Sequence, residues 1–400
     1  MIRKVLFWTH LAAGLAAGGV ILMMSATGAV LTYEAQWIRW AESRMAVAPR
    51  DDEFLDLDEI RARANEAGGA RFESFTPISV TLRPGAGAPV RVSGGRSDRV
   101  YLDPYDGRLL GTGFPRLEGF LESVRGWHRW FNLEGAGRRR GRAWTGAANL
   151  IFLFMLCSGP FLWIPRTRTW THFKQVLFFR RGLSPKARDF NWHNVLGIWL
   201  ALPLMVIAAS ASVTSYAWAG DIVAWAAGEE PGARPPDMGS TATIGAGFTG
   251  ADSPVASLRD AVVAAADRSV GDRVLPWREI DVTLPSVGDS TVSALVRRGG
   301  PGQPQLQEAL TVDVRTGQLL ERVGFENQPR ARRYRSLLRF VHTGEYWGPR
   351  GQTVAGLVSL AAVLLGLTGI SLALRRFVGF LRRRRTRREQ APGASGQGPS

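Results

Sequence analysis

Residues 7–10 read Phe7-Trp8-Thr9-His10, and residues 190–193 read Phe190-Asn191-Trp192-His193. Each stretch opens a long apolar run, the first ending near Thr32-Tyr33 and the second reaching Tyr216. In both copies Gly follows the His four residues on (Gly14, Gly197), and Tyr follows it after twenty-three (Tyr33, Tyr216). An ionisable ring is expensive inside an apolar helix, and such residues usually carry function. A His at matching depth in two copies of one run therefore points to a buried metal or haem ligand. It also points to a chain built twice.

Working outward, the apolar residues gather into four blocks, Val5–Tyr33, Ala143–Ile164, Val195–Trp218 and Val354–Leu374. Each is roughly 20 residues or longer and nearly uncharged, enough to span a hydrocarbon core about 30 Å thick. The mean hydropathy of −0.05 averages these helices with polar segments between them. The first run also has the look of a signal peptide, with Arg3-Lys4 ahead of it and Ser25-Ala26-Thr27 near its end. Its recurrence at His193 argues for a retained span.

The formal charge of +16 is distributed in a way that speaks against nucleic acid. Basic residues cluster at Arg166–Arg188 and Arg375–Arg388, on the same side as Arg3 and Lys4 if the helices alternate. This positive-inside pattern predicts an N-in, C-in protein with both long connections outside. The Arg-rich tail then reads as a topology determinant and a contact for anionic lipid. The lone Cys157 excludes an intramolecular disulfide and a cysteine-ligated cluster. The sequence has no phosphate-cradling Gly motif and no dinucleotide fingerprint, so flavin or nicotinamide chemistry would belong to a partner.

The predicted order is a transmembrane helix over 1–35, an external module over 36–116, and an interfacial helix and loop over 117–142. A second span (143–165), a cytoplasmic loop (166–190) and a third span (191–219) follow. A second external module covers 220–333, an interfacial helix and loop 334–352, a fourth span 353–375, and a basic disordered tail 376–400. The first module reads as a helix from Phe54 to Ala67, strands at Ser79–Leu82, Val90–Val92 and Arg99–Leu102, a turn at Asp103–Gly107 and a return strand. The second has a linker at Pro231–Gly250, a helix at Val255–Ala266, and strands at Glu279–Leu284, Thr291–Arg297 and Leu310–Val314. It ends on a turn at Arg315–Gly317 followed by Gln318–Leu320. The fold class is a mainly α membrane protein: a four-transmembrane-helix bundle with two external α+β modules, internally duplicated.

Four of the five His flank the spans. His10 and His193 share one face, and His128 and His342 the other, an arrangement that suits bis-histidine ligation of two haems. Neutral imidazole binds iron well when its other nitrogen is oriented by a carbonyl or hydroxyl. Gly14 and Gly18 below His10, with Gly197 and Ala201 below His193, leave room for a flat macrocycle. Gly14-x-x-x-Gly18 equally suits helix packing with no cofactor, and a His near an interface is often simply hydrated. His172, without a counterpart in the repeat, reads as solvated, and Met23, Met24, Met155 and Met205 as packing residues. Spans one, two and four carry Thr27-Gly28, Ser158-Gly159 and Thr368-Gly369, with Ser210-Ala211 at the matching place in span three. Arg138, Arg139, Arg140 and Arg142 break the positive-inside trend; haem propionates, an anionic ferric chelate and lipid headgroups all fit them.

The duplicated plan, the Trp-Thr-His10 and Trp-His193 openings, Trp127-His128-Arg129-Trp130 and the Thr-Gly and Ser-Gly pairs resemble the PepSY-associated transmembrane helix proteins. The turns at Tyr101–Gly111 and Thr311–Leu320 resemble their external PepSY modules. The resemblance covers nearly the whole chain up to about Arg388. It implies a multi-pass protein of the bacterial inner membrane, with its modules in the periplasm. Some members are ferric-siderophore reductases that use b-type haems held by membrane histidines. Carried over by position, His10 and His193 hold an inner haem b, and His128 and His342 an outer one. This chain departs from its own first copy in having His342-Thr343-Gly344 where that copy has His128-Arg129-Trp130.

The implied function is di-haem electron transfer from a quinol or cytosolic reductase to a ferric siderophore or another ferric chelate. The alternative is a cofactor-free, membrane-anchored PepSY protein that binds peptide or a peptidase. A transport component fits less well, since the spans lack carboxylates and broken helices.

Overall fold

The computed structural model describes residues 1–68, 78–94, 98–165, 167, 169–230, 257–269, 275–284 and 289–389. From the N-terminus come α1 (Ile2–Leu31), α2 (Glu34–Glu42), α3 (Leu57–Gly68), β1 (Ser79–Leu82), β2 (Val90–Gly94), β3 (Asp98–Leu102), β4 (Leu109–Gly111), α4 (Pro115–Trp130) and α5 (Gly137–Trp163). Then follow α6 (Trp170–Leu177), α7 (Pro185–Ser215), α8 (Ala217–Ala226), α9 (Leu258–Arg268), β5 (Glu279–Thr283), β6 (Thr291–Arg297), β7 (Gln307–Asp313), β8 (Leu319–Gly324), α10 (Arg330–Thr343) and α11 (Gly348–Glu389). The chain divides into a helical unit (Met1–Leu31, Val124–Tyr216, Val354–Ser400) and a sheet unit (Thr32–Ser123, Ala217–Thr353).

In the helical unit, α1, α5, α7 and α11 carry the four segments among the described residues that are long and apolar enough to cross a membrane. Lipid tails are as apolar as Leu, so helices associate in a membrane through close packing and polar cross-links. Ala17 and Ile21 of α1 meet Ala148 of α5. Leu156, Leu204, Ala208, Val358, Ala362 and Leu365 draw α5, α7 and α11 into a second cluster. The Asn149 amide on α5 donates to the Ala208 carbonyl at 2.9 Å and to Ser212 Oγ at 3.0 Å on α7. Where α7 begins, the Asn191 amide donates to the carbonyls of Gln175 and Phe178, and its Oδ1 accepts from Arg180 N–H. That residue ties the loop between the second and third spans to the third.

Among the described residues the sheet unit holds an antiparallel sheet of eight strands, ordered β4-β3-β2-β1-β5-β6-β7-β8. Its middle pairing, β1 with β5, sets Val80 opposite Val282 and Leu82 opposite Ile280. Burial alternates along β5, β6 and β7, as the period of two requires. The buried side, from Val80, Val92 and Val100 through to Val296, Leu310 and Val312, packs on Ile60 and Ala64 of α3 and on Val262 and Ala265 of α9. The strands expected as two separate modules thus form one layer over one core. The physical reason is that β1 and β5 would each leave an unpaired edge, and pairing them removes both.

Polar residues organise the other side of this sheet. Glu42, at the end of α2, is only 1% exposed. It accepts from Tyr101 Oη at 2.8 Å and pairs with Arg83 at 2.7 Å and Arg91 at 3.1 Å. Burial, then the Glu42 charge, pushes the Tyr101 phenol well above its ordinary pKa. Arg83 also reaches Glu279 at 3.2 Å, and Arg297 pairs with both Glu279 and Asp281.

Two boundaries differ from expectation. Residues 376–389, expected within a disordered tail, continue α11 to Glu389; Arg and Leu are good helix formers, and propagation from an existing helix is far easier than nucleation. The helix predicted from Val255 begins at Leu258, where Ser257 Oγ accepts from Asp260 N–H. The predicted linker Pro231–Gly250 lies outside the described residues, as do residues 390–400.

The buried Glu308 yields a pH test. Burial alone would raise its pKa, but hydrogen bonds from Ser269, Arg298 and Arg322 outweigh that and hold it below the ordinary value. A depressed folded-state pKa stabilises above the unfolded value, about 4.3 for Glu, and that stabilisation is lost as pH falls through the folded value. Glu308→Gln is therefore expected to lower the denaturation midpoint at neutral pH, with the gap to wild type closing as the solution is acidified; a pH-independent gap would disprove the assignment. Glu42→Ala leaves Arg83 and Arg91 facing a buried void, and is expected to cost about 3–5 kcal/mol in the same assay.

Candidate functional site

Three histidines of the helical unit are seated in the same way on a neighbouring helix. His10 of α1 sets its Nδ1 2.9 Å from Ser158 Oγ on α5. His193 of α7 sets its Nδ1 3.2 Å from the Leu365 carbonyl and 3.4 Å from Thr368 Oγ1 on α11. His128 of α4 sets its Nδ1 3.0 Å from both the Met24 carbonyl and Thr27 Oγ1 on α1. Beside each hydroxyl stands a glycine against which the ring edge lies. A Cβ there would come 3.8 Å from His10 Cε1 at Gly159, 3.0 Å from His193 Cε1 at Gly369 and 3.3 Å from His128 Cε1 at Gly28. The helix therefore offers a hydroxyl to hold the ring and a missing side chain to admit it.

The hydroxyls fix the tautomer. Thr27, Ser158 and Thr368 each donate their own proton to a carbonyl one turn back, at 2.7 Å to Met23, 3.2 Å to Met155 and 2.9 Å to Leu364. With that proton engaged, the oxygen is left to accept, so the facing Nδ1 must carry hydrogen. The backbone carbonyls facing His128 and His193 demand the same, since they only accept. Each Nε2 is then the unprotonated nitrogen, the form that a metal-bound imidazole requires. Nε2 of His10 and of His193 has no hydrogen-bond partner among the described residues.

The levels of these seats are set by helix geometry. His10 lies eight residues after Ile2, the start of α1, and His193 eight residues after Pro185, the start of α7. Thr27, which seats His128, lies 17 residues beyond His10 on α1, or about 26 Å at about 1.5 Å per residue. His128 and His10 thus mark opposite ends of the bundle. His342 belongs to the sheet unit, next to last in α10, which closes on Gly344 with φ 74°.

Gly14 faces Met155 Cε, Gly18 faces Ile370 and Gly197 faces Leu365, at 3.4, 3.4 and 3.8 Å from an added Cβ. They set helix spacing in this structure. The glycines that admit the rings are Gly28, Gly159 and Gly369; in the sequence they are visible only as the second members of the Thr-Gly and Ser-Gly pairs. His172 is exposed, with Nδ1 2.6 Å from Thr169 Oγ1, consistent with a solvated surface residue.

Among the described residues no three His, Cys, Asp or Glu side chains gather at one point. Paired imidazoles suit a metal whose remaining donors come from a porphyrin, and the Nδ1-anchored rings fit haem by that chemistry. A family model described as PepSY-associated TM region matches residues 7–376. The chain belongs to this family. With four apolar helices of spanning length, it is a membrane protein. No curated protein matches it.

In this PepSY-associated TM chain the hydroxyl seats are separable from the imidazoles they hold. With haem supplied, Ser158→Ala is expected to weaken haem retention about 10–100-fold, read as the rate of haem loss to a scavenger. Gly369→Ala, which places a Cβ 3.0 Å from His193 Cε1, is expected to shift the α-band of the same haem. Unchanged retention and spectrum in both would show that these seats do not orient ligands.

Proposed function

We propose that the protein is a di-haem electron carrier of the bacterial inner membrane that reduces a ferric siderophore or another ferric chelate on the periplasmic side. The observation that carries this reading is the common seating of His10, His193 and His128, each held by Nδ1 on a neighbouring helix. Bound haem b would supply the one-electron chemistry that no side chain of the spans possesses. His10 and His193 would hold a haem at one face, and His128 would help to hold another at the opposite end of the bundle, with Gly14 and Gly197 on the helix faces next to the first pair. A separation of about 26 Å along α1 explains why ligand sets are needed at both ends.

In this reading the chain itself orients the imidazoles through Ser158, Thr368, Thr27 and the carbonyls of Met24 and Leu365. It excludes water by packing α1, α5, α7 and α11 around them. The basic residues that follow the second and fourth spans support an N-in, C-in topology, with the sheet unit in the periplasm. The electron donor is then a quinol or a cytosolic reductase at the His10 end.

Purified protein expressed with ample haem is expected to show a Soret band and a dithionite-sensitive α-band. His10→Ala and His193→Ala should each remove the same haem, and His128→Ala the other. Reduced protein should be reoxidised by a ferric chelate within seconds of mixing, on the order of ordinary enzyme turnover. A colourless preparation under these conditions would sink the reading and leave a PepSY-type binding protein.

A further inference from the structure

Between α4 and α5 the chain reads Asn132-Leu133-Glu134-Gly135-Ala136-Gly137 and then Arg138-Arg139-Arg140-Gly141-Arg142. The expected interfacial segment 117–142, a helix followed by a loop, ends on these arginines, but in the structure they form the first turns of α5. All four are exposed, and none forms an ion pair among the described residues. The position is doubly unfavourable for cations. The N-terminal end of a helix already carries positive partial charge, which disfavours basic side chains. No acidic residue stands in that first turn, and Ala136 gives it no side-chain cap. At the opposite end of the bundle, arginines do find partners: Arg3 donates to the carbonyls of Leu162 and Ile164, and Arg375 pairs with Asp189.

The arginine turn is registered on the helix that carries His128. Thr145 Oγ1 donates to the Arg129 carbonyl at 2.8 Å. Gly141 meets the Trp130 carbonyl so closely that a Cβ would overlap it. The reversal between the helices is held by Phe131 and Asn132 at φ 56° and 52°, a conformation rare outside glycine. Asn132 N–H closes it on the Gly126 carbonyl at 2.9 Å. Arg129 and Arg138 both lie over the Trp130 ring, 5.3 and 5.4 Å from its centroid. The positive surface is thus fixed beside His128, at the bundle end opposite His10.

From these contacts we infer that Arg138, Arg139, Arg140 and Arg142 form the landing surface for the electron acceptor, and that the acceptor is a ferric chelate with uncoordinated carboxylates. This rests on the reductase reading above. Planar guanidinium groups match carboxylates two bonds at a time. A cluster of one sign beside a redox site raises the encounter rate of an oppositely charged substrate 10–1000-fold, an effect that salt suppresses. A ferric ion held by such a chelate gains one electron, becomes Fe²⁺ and leaves its ligands more readily; no bond to the protein is made.

The test uses full-length, haem-loaded protein in lipid nanodiscs, one set wholly zwitterionic and one containing anionic lipid. Gallium(III) citrate serves as a redox-inert probe, with the gallium(III) complex of an uncharged trihydroxamate as control, and binding is read from tryptophan fluorescence. In zwitterionic discs, wild type should bind gallium citrate with an affinity that falls as salt rises. The quadruple Arg→Gln variant should bind it at least about tenfold more weakly and treat the uncharged chelate as wild type does. A quadruple Arg→Lys variant, which keeps the charge, should retain most of the binding, and an unaltered haem spectrum reports folding in each case. Equal gallium citrate binding by wild type and the Arg→Gln variant would overturn the inference. So would a difference seen only in anionic discs, which would assign the arginines to lipid phosphates. Arginine-dependent binding of gallium citrate without reoxidation by ferric citrate would keep the surface and discard the reductase reading.

Discussion

The histidine seats of the helical unit depend on one hydrogen bond, the one imidazole Nδ1 makes to a hydroxyl or carbonyl on the adjacent helix. A histidine placed among apolar helices is costly unless its ring nitrogens are engaged. Here the partner also selects which nitrogen is left over. The hydroxyl accepts because its own proton is committed to its helix, so the choice of tautomer is built into a Thr or Ser that donates to the carbonyl one turn back. The neighbouring glycine admits the ring without forcing the helices apart. A three-atom arrangement, repeated at His10, His128 and His193, thereby ties α1 to α5, α4 to α1 and α7 to α11.

The sheet unit is governed by a different constraint, the need to leave no apolar edge open. Each half of the chain brings one helix and four strands, and neither set has enough strands to cover both ends of its core. Joined through β1 and β5, they share the apolar layer between the sheet and helices α3 and α9. Glu42, with Arg83 and Arg91, then binds the segment leaving α1 to the polar side of that layer. A buried carboxylate with two guanidiniums and a phenol is stable only when all of them are present.

Much of this was legible in the sequence. The spans were readable because a run of about 20 apolar residues has few other uses. The histidines stood out because ionisable groups are rare there, and the strands at Ser79–Leu82 and Thr291–Arg297 fall where their alternation and turns put them. The joining of two modules was not legible, because strand pairing between residues 200 apart leaves no local trace. The ring-admitting role of Gly28, Gly159 and Gly369 was hidden for a related reason. A glycine that serves a neighbouring helix looks the same in sequence as one that serves its own, so Gly14 and Gly197 drew attention through their spacing from His. The helical start at Gly137 was also missed, since four arginines at a helix N-terminus contradict the charge preference by which such starts are recognised.

The pairing of β1 with β5 also sets an order of assembly. Val80 meets Val282 across 202 residues, and between them the chain must make both α5 and α7. During synthesis the first four strands therefore wait with an open edge while two further helices emerge, a separation that slows folding and exposes a strand to wrong partners. Closure of the sheet reports that the third span has been made. The chain in this way has a sheet that neither of its halves completes alone.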